Sequence, residues 1–465
     1  MTKKGKLEMS EERKPTTEEL LAKAYQPAKD AMRLHPFYKG KCEVVPKCQI
    51  RDFNDFAIWY TPGVADPCKD IYENPEKVLE HTNKANFVAV ITDGTRVLGL
   101  GNIGPEAGLP VMEGKAILFK YLGGVDAFPI CLDTTDADKI IEVVKILQPT
   151  FGGINLEDIE KPKCFYILET LRKECRIPVW HDDQQGTATV TVAGAINALK
   201  VVGKDMEKIK TVLYGAGASN VAIARLLMNI GFNSDQMLIY DSKGPLHKGR
   251  TELQEPEPEK WRLCEVTNAE NIDVPFDEGI ENADMLVALS RSGPDVIAKE
   301  AVAKMASDSI VFACANPIPE IWPWDAKEVG ARIIGTGRSD FDNQVNNSLG
   351  FPGIFRGTLD VAATTITDGM CIAAALELAK CAEDKGLRED YIIPTMDEWE
   401  VYPREAVAVG QKAIEEGVAK IELTPEQALE TAETIIKRAR AETQMLMKEG
   451  FIPEAPDEPL VTTGG

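Results

Sequence analysis

The chain has 465 residues, 44% hydrophobic and 27% charged, with a formal net charge of −22. That length exceeds one ordinary core and predicts two large domains. So acidic a chain argues against nucleic acid and against anionic membrane surfaces as partners, and no apolar run reaches the roughly 18 residues that span a bilayer.

The polar opening MTKKGKLEMSEERKP lacks the apolar stretch of a secretory signal. Ten cysteines are scattered without CxxC pairs, which supports neither a zinc site nor a disulfide framework and points to a reducing cytoplasm. With four histidines in the whole chain, neither His-based catalysis nor a His-ligated metal is expected.

In chain order, a helix is predicted over residues 17–33 after the polar lead-in. From about 55 to 150 the short apolar runs FVAVI, AILFKYL and AFPICL alternate with Gly- and Asp-bearing turns, which predicts α/β units. Residues Lys163–Glu174 read as a helix, 177–180 (IPVW) as a buried strand, and Thr187–Val202 as a helix of small and β-branched residues. A dinucleotide-type βαβ unit follows: strand 210–214, turn 215–220 (GAGASN), helix 221–230, strand 237–240. Further strands are predicted at 284–290, Ser309–Ala313 and 332–334, so strand and helix alternate as in a doubly wound parallel sheet. The charged, Pro-bearing stretch 246–275 reads as a surface excursion, residues 360–450 as helical, and PEAPDEPLVTTGG as a surface or disordered tail. The α/β domain expected over 15–185 is thus followed by a Rossmann-like domain over 186–370, a helical segment over 371–450 and a tail over 451–465.

Chemistry concentrates where strands end. Asp182 and Asp183 close the apolar run IPVWH, and two adjacent carboxylates repel unless a cation or a lysine compensates them. Glu157 and Asp158 in GGINLEDI make a second acidic pair, and hard divalent cations favour such oxygens. Lys115, flanked by apolar residues in VMEGKAIL at the start of a helix, becomes usable as a base if burial lowers its pKa. Tyr60 lies in the turn-forming YTPGVA, and Arg96 in the Gly-dense ITDGTRVLGLGNIGP offers a carboxylate fork. His181 beside the acids reads as structural. Gly215 permits a tight turn, Gly217 lets a pyrophosphate approach the backbone, and Ala216, Ala218 and Ser219 complete the turn into the helix. Asn220 stands where a third glycine is common, which predicts slightly looser helix–strand packing. Asp241 closes the next strand, placed to accept from a ribose 2′-OH and to repel a 2′-phosphate; Lys243 softens that preference for NAD over NADP. Asn316 in CANPIPE and Asn347 in NNSLGFPG stand at expected strand ends.

Together YTPGVA, VITDGTRVLGLGNIGPEAGLPVMEGKA, GGINLEDI, HDDQQGTATV, GAGAS, CANP and NNSLGFPG resemble the malic enzyme family in its short microbial form, over roughly residues 20–430. The resemblance implies an N-terminal malate-binding α/β domain, and oxidative decarboxylation of L-malate to pyruvate and CO₂ with NAD(P) and Mg²⁺ or Mn²⁺. It implies Lys115 as general base, Tyr60 as general acid and Asp182 as the residue tuning Lys115. By the same resemblance Glu157, Asp158 and Asp183 would bind the metal, while Arg96, Asn316 and Asn347 would hold substrate carboxylate and cofactor. A homodimer or higher homo-oligomer is implied as well. Two rivals stay open at this level: malolactic chemistry that returns the hydride to pyruvate, and a catalytically silent dinucleotide sensor.

Overall fold

The computed structural model describes residues 17–456; the last residues of the expected tail, 457–465, lie outside them. The described residues form two compact units, one from 17–41 with 447–456, the other from Cys42–Leu446. In the first, the expected N-terminal helix runs over Thr17–Tyr38, longer than its polar–apolar pattern suggests. The Tyr38 hydroxyl donates to the carbonyl of Pro453 at 2.9 Å.

The second unit carries two sheets. The first holds β1 (Phe87–Thr92), β2 (Asp126–Cys131), β3 (Gly153–Leu156) and β4 (Val179–His181) in the order β2-β1-β3-β4, all parallel. Its central strands are apolar on both faces because helices cover both, so FVAVIT reads as a continuous buried run and not as an alternating one. The predicted α/β units are therefore present; AILFKYL, however, lies inside the helix Pro105–Gly123.

The second sheet holds β5 (Thr211–Tyr214), β6 (Met237–Asp241), β7 (Gly244–Pro245), β8 (Met285–Ala288), β9 (Ser309–Ala313) and β10 (Ala331–Thr336). Its order is β10-β9-β8-β5-β6-β7, parallel except for the short β7, which turns back on β6. Strand order reverses at β5, so the crevice beyond the ends of β5 and β8 is the switch point where such sheets take ligands. Every strand predicted here is found, with ends displaced by a residue or two. The stretch 246–275 is not only a surface excursion: Leu246, Leu263 and Cys264 are buried in the core, the last two on the helix Pro258–Val266. The expected C-terminal helicity appears as Asp368–Asp384, Val401–Glu415 and Pro425–Lys448.

Candidate active site

Strand register assembles the acids. Leu156 of β3 pairs with His181 of β4 in a parallel ladder, so the residues that follow each strand, Glu157-Asp158 and Asp182-Asp183, leave the same sheet edge side by side. Oxygens of Glu157, Asp158 and Asp183 lie within 4.8 Å of one another. The main-chain N–H of Asp158 donates to Asp183 Oδ2 at 2.9 Å, and Leu98 N–H donates to Asp158 Oδ1 at 3.3 Å. Asn155, which sequence reasoning passed over, donates to Glu157 Oε2 at 3.0 Å.

Lys115 comes from the middle of the helix Pro105–Gly123, not from its start. It is only 7% exposed, so it does not snorkel to solvent. Its Nζ donates to Asp182 Oδ2, stands 3.3 Å from Glu157 Oε1, and lies 4.3 Å from the centre of the Phe351 ring. Trp180 Nε1 donates to the other Asp182 oxygen at 3.0 Å. Burial alone would lower the Lys115 pKa, as the sequence suggests, but Asp182 and then Glu157 outweigh it and hold the ammonium above the ordinary lysine range. The isolated protein therefore keeps Lys115 charged, which corrects the expectation that burial frees it as a base.

Burial pushes the Glu157 carboxyl well above its usual range, with Lys115 opposing and Asp183 reinforcing. Burial, then Asp183, pushes Asp158 up to about 8. Asp158 Oδ2 is buried with no hydrogen-bond partner, a costly state unless a ligand compensates it. Clustered hard oxygens, excess negative charge and an orphaned acceptor fit a divalent cation of the Mg²⁺ or Mn²⁺ type. His181 is fully buried, its Nδ1 3.7 Å from Asp183 Oδ2, and burial pushes its imidazole down. Both its ring nitrogens are buried without a hydrogen-bond partner, and it is no exposed ligand.

Arg96 joins the site through its backbone, donating N–H to the Asp158 carbonyl at 2.9 Å; its guanidinium is exposed and bonds Leu98 O at 3.2 Å. Asn347 comes close as well, since a Cβ on Gly186 would meet both Asp182 Oδ1 and, at 3.2 Å, Asn347 Cβ. Tyr60 is not brought in. It ends the helix Asp55–Trp59, is 70% exposed, and among the described residues makes no hydrogen bond to the cluster.

At the second sheet, Gly215 has φ +99°, and a Cβ there would come within 2.4 Å of the Leu289 carbonyl at the end of β8. Gly217 precedes the helix Ala218–Asn229, whose first residues are Ala218 and Ser219, and Ala216 is buried behind the turn. Asn220 does not loosen the packing: it is fully buried, and its amide donates to Tyr214 O at 3.1 Å and Gly215 O at 2.7 Å, locking the turn.

Asp241 departs from expectation in another way. Arg250 donates to both its oxygens at 3.3 and 3.2 Å, Lys243 N–H to Oδ1 at 2.8 Å, and Lys260 Nζ stands 3.4 Å from Oδ2. Burial opposes its charge, but Arg250 and these partners hold its carboxyl below the usual range. The carboxylate is already neutralised, so repulsion of a 2′-phosphate no longer follows. Arg250 and Lys260 lie 9 and 19 residues further on in a stretch that carries no motif, which is why the sequence did not signal them.

Residues 39–172 match the malic enzyme N-terminal domain and residues 184–414 the malic enzyme NAD binding domain. A bifunctional malic/malolactic enzyme of Bacillus subtilis is 52% identical over 86% of this chain and 96% of its own length. An NADP-dependent malic enzyme of Escherichia coli is 44% identical over 84% of this chain, which spans 52% of that relative. The crystal structure of the Entamoeba histolytica malic enzyme superposes with a TM-score of 0.93 at 47% identity, covering 95% of this chain and 93% of that one.

Proposed function

This chain belongs to the malic enzyme family, and on that premise we propose that it oxidatively decarboxylates L-malate to pyruvate and CO₂ while reducing NAD or NADP. One observation carries the reading: a buried lysine held by Asp182 and by Glu157, the latter clustered with Asp158 and Asp183, at the end of one parallel sheet, in a chain whose second sheet bears a dinucleotide turn. The division into a malate domain over 15–185, a cofactor domain over 186–370 and a helical segment over 371–450 is part of the same proposal.

Glu157, Asp158 and Asp183 would hold Mg²⁺ or Mn²⁺. Bound there, the cation supplies positive charge that polarises the substrate's C2 oxygen and offsets the carboxylates that keep Lys115 charged. A bound NAD(P) would supply the hydride acceptor for the C2 hydrogen, and Lys115, once neutral, would take the C2 hydroxyl proton. Asp182 keeps Nζ aimed, and Trp180 keeps Asp182 aimed. Loss of the C4 carboxylate as CO₂ leaves an enolate that Tyr60 protonates at C3. Gly215, Ala216, Gly217, Ala218 and Ser219 would cradle the pyrophosphate, with Asn316 and Asn347 placing nicotinamide and substrate. Arg250 and Lys260 around Asp241 support use of either dinucleotide.

Tyr60 reaches a cluster only if its segment is met by another surface. Val44, Phe53, Ile58, Trp59 and Tyr72 stand exposed in the same stretch, an apolar display that marks an interaction face. A second copy of the chain is the proposed partner, giving a homodimer or higher homo-oligomer. Mixing inactive Tyr60→Phe and Lys115→Ala proteins tests this: regained activity on subunit exchange supports a site shared between copies, and none in a mixed oligomer overturns it. Cytoplasmic location belongs to the same reading, supported by ten free thiols; no described helix is long and apolar enough to cross a membrane.

The test of the reaction is absorbance at 340 nm with L-malate, Mn²⁺ and either dinucleotide. An EDTA-sensitive rise with pyruvate formed supports the reading. Lactate formed at constant absorbance would instead favour malolactic chemistry, the second activity in the name of the Bacillus relative. No product at all would leave a silent dinucleotide-binding protein.

A further inference from the structure

Glu320 is fully buried, and the chemistry above gives it no part. It lies in the loop that follows β9. Its Oε1 accepts from the Ser290 N–H at 2.8 Å and from the Ser290 hydroxyl at 3.3 Å, and its Oε2 accepts from the Ala315 N–H at 3.1 Å. Ser290 belongs to the loop after β8 and Ala315 to the loop after β9. These strands are neighbours in register, Ala288 opposite Ala313, so their loops leave the sheet together and one side chain laces them. Ser292 adds a stitch, its hydroxyl donating to Ile318 O and accepting from Ile318 N–H, both at 3.0 Å.

The laced loops present Asn316. A Cβ on Gly99 would come within 2.5 Å of the Asn316 carbonyl and 3.0 Å of Ser292 Cβ, so the Gly99 loop is seated directly against them. On its other side that loop is bonded to Asp158 through Arg96 and Leu98 N–H. The Glu320 clamp therefore sits one contact behind the place where the dinucleotide half meets the acid cluster.

We propose that Glu320 is a positioning residue for the nicotinamide end of the cofactor: it locks the loops after β8 and β9 and thereby sets Asn316 against Gly99. The proposal rests on the reading of this chain as dinucleotide-dependent. An acceptor-only carboxylate suits three converging donors, whereas an amide would turn an NH₂ toward one of them. A buried carboxylate is costly even when bonded, and an apolar residue here would leave main-chain donors unpaired.

Burial pushes Glu320 up to about 7 against the pull of the Ser290 and Ala315 N–H groups. Around it stand the Cys314 thiol, itself pushed up by burial, and the two serines. Nearby charges are engaged elsewhere or exposed. Arg338 bonds Asp340 at 2.8 Å and Pro317 O at 2.7 Å, Asp325 pairs with Lys299 at 2.7 Å, and Arg291 and Asp295 face solvent. Protonation trades an acceptor for an O–H donor, leaving one of the three donors without a partner and loosening the lacing.

The test is NADH binding to the full chain in EDTA, followed by nicotinamide fluorescence between pH 6 and 8. Wild type is expected to bind several-fold more weakly at pH 6. Glu320→Gln should bind about tenfold more weakly at pH 8, the scale of one or two lost hydrogen bonds, and lose the pH dependence, with Mn²⁺ affinity unchanged within about twofold. A Gln variant with wild-type affinity and profile would overturn the proposal. Glu320→Asp, charged but one methylene short, stands in if Gln does not fold: it should bind more weakly, and wild-type affinity would sink the idea. If wild type binds no NADH at any pH, the dinucleotide reading itself fails and the proposal with it.

Discussion

The two sheet ends each bury carboxylate and cation together, yet one is out of balance and the other is not. Beyond β3 and β4, the carboxylates of Glu157, Asp158, Asp182 and Asp183 share Lys115 as their buried ammonium, and Asp158 Oδ2 stays orphaned. Beyond β6, Arg250 pairs with Asp241 and Glu252, Lys260 with Asp241 and Glu257, and Glu257 bridges Lys260 to Lys161 at 3.0 and 2.9 Å. The first cluster has negative charge left over and so is built to receive a cation. The second matches three cations with three carboxylates, so its charges are already paired. Residue types alone do not separate the two; the balance of charge does.

The largest break in this comparison is Lys115→Ala, which removes the proposed base. It is expected to lower kcat by about 10²–10⁴, the range for a lost general acid–base group, with circular dichroism unchanged. Glu157→Gln or Asp183→Asn should weaken Mn²⁺ binding by more than about a hundredfold in titrations followed by electron paramagnetic resonance. Asn155→Ala, which only orients Glu157, should cost about ten- to a hundredfold. At the other sheet, Arg250→Gln should raise KM for NADP by about tenfold, one charge-assisted contact's worth, and that for NAD by less than about threefold. Equal effects on both would show that Arg250 serves Asp241 and not a phosphate.

The pH response separates the clusters as well. Asp158 is pushed up to about 8 and Glu157 is raised too, so protons compete with the cation, and Mn²⁺ affinity should rise with pH toward about 8. The sign for stability is the reverse. Between the usual carboxylate range and about 8 the unfolded chain holds fewer protons than the native one, so the metal-free protein should lose stability as pH rises. Urea unfolding at pH 5 and 7.5 in EDTA should show that loss, reduced in Asp158→Asn. The smallest effect is expected at Asn220→Ala, about 1–2 kcal/mol for two buried hydrogen bonds, read as a lower urea midpoint with little change in kcat.

Much of the architecture was legible because its signals are local. Buried parallel strands show as apolar runs, and the βαβ turn shows as Gly-x-Gly between strand and helix. The acids were legible as pairs at strand ends, but only the Leu156–His181 register makes two pairs one cluster. Lys115 was legible as a candidate base, while its charge state was not, because that depends on Asp182 and Glu157, each more than forty residues away. Asn220 was misread for a similar reason: a missing glycine suggests a gap, whereas its amide reaches back to two carbonyls. Glu320, Arg250 and Lys260 gave no warning at all.

By itself the sequence determined the family, the α/β class, the two acidic pairs, the lysine and the dinucleotide turn, since each is written in contiguous residues. Only tertiary structure decided that Asp241 is neutralised, that Lys115 is held charged, that Asp158 keeps an unpaired oxygen, and that Tyr60 stands apart from them. The reason is that electrostatic state is a sum over neighbours in space. Around Lys115 those neighbours arrive from strands separated by whole helices, and around Asp241 from a loop and a helix that fold back on it, so spacing along the chain does not reveal them.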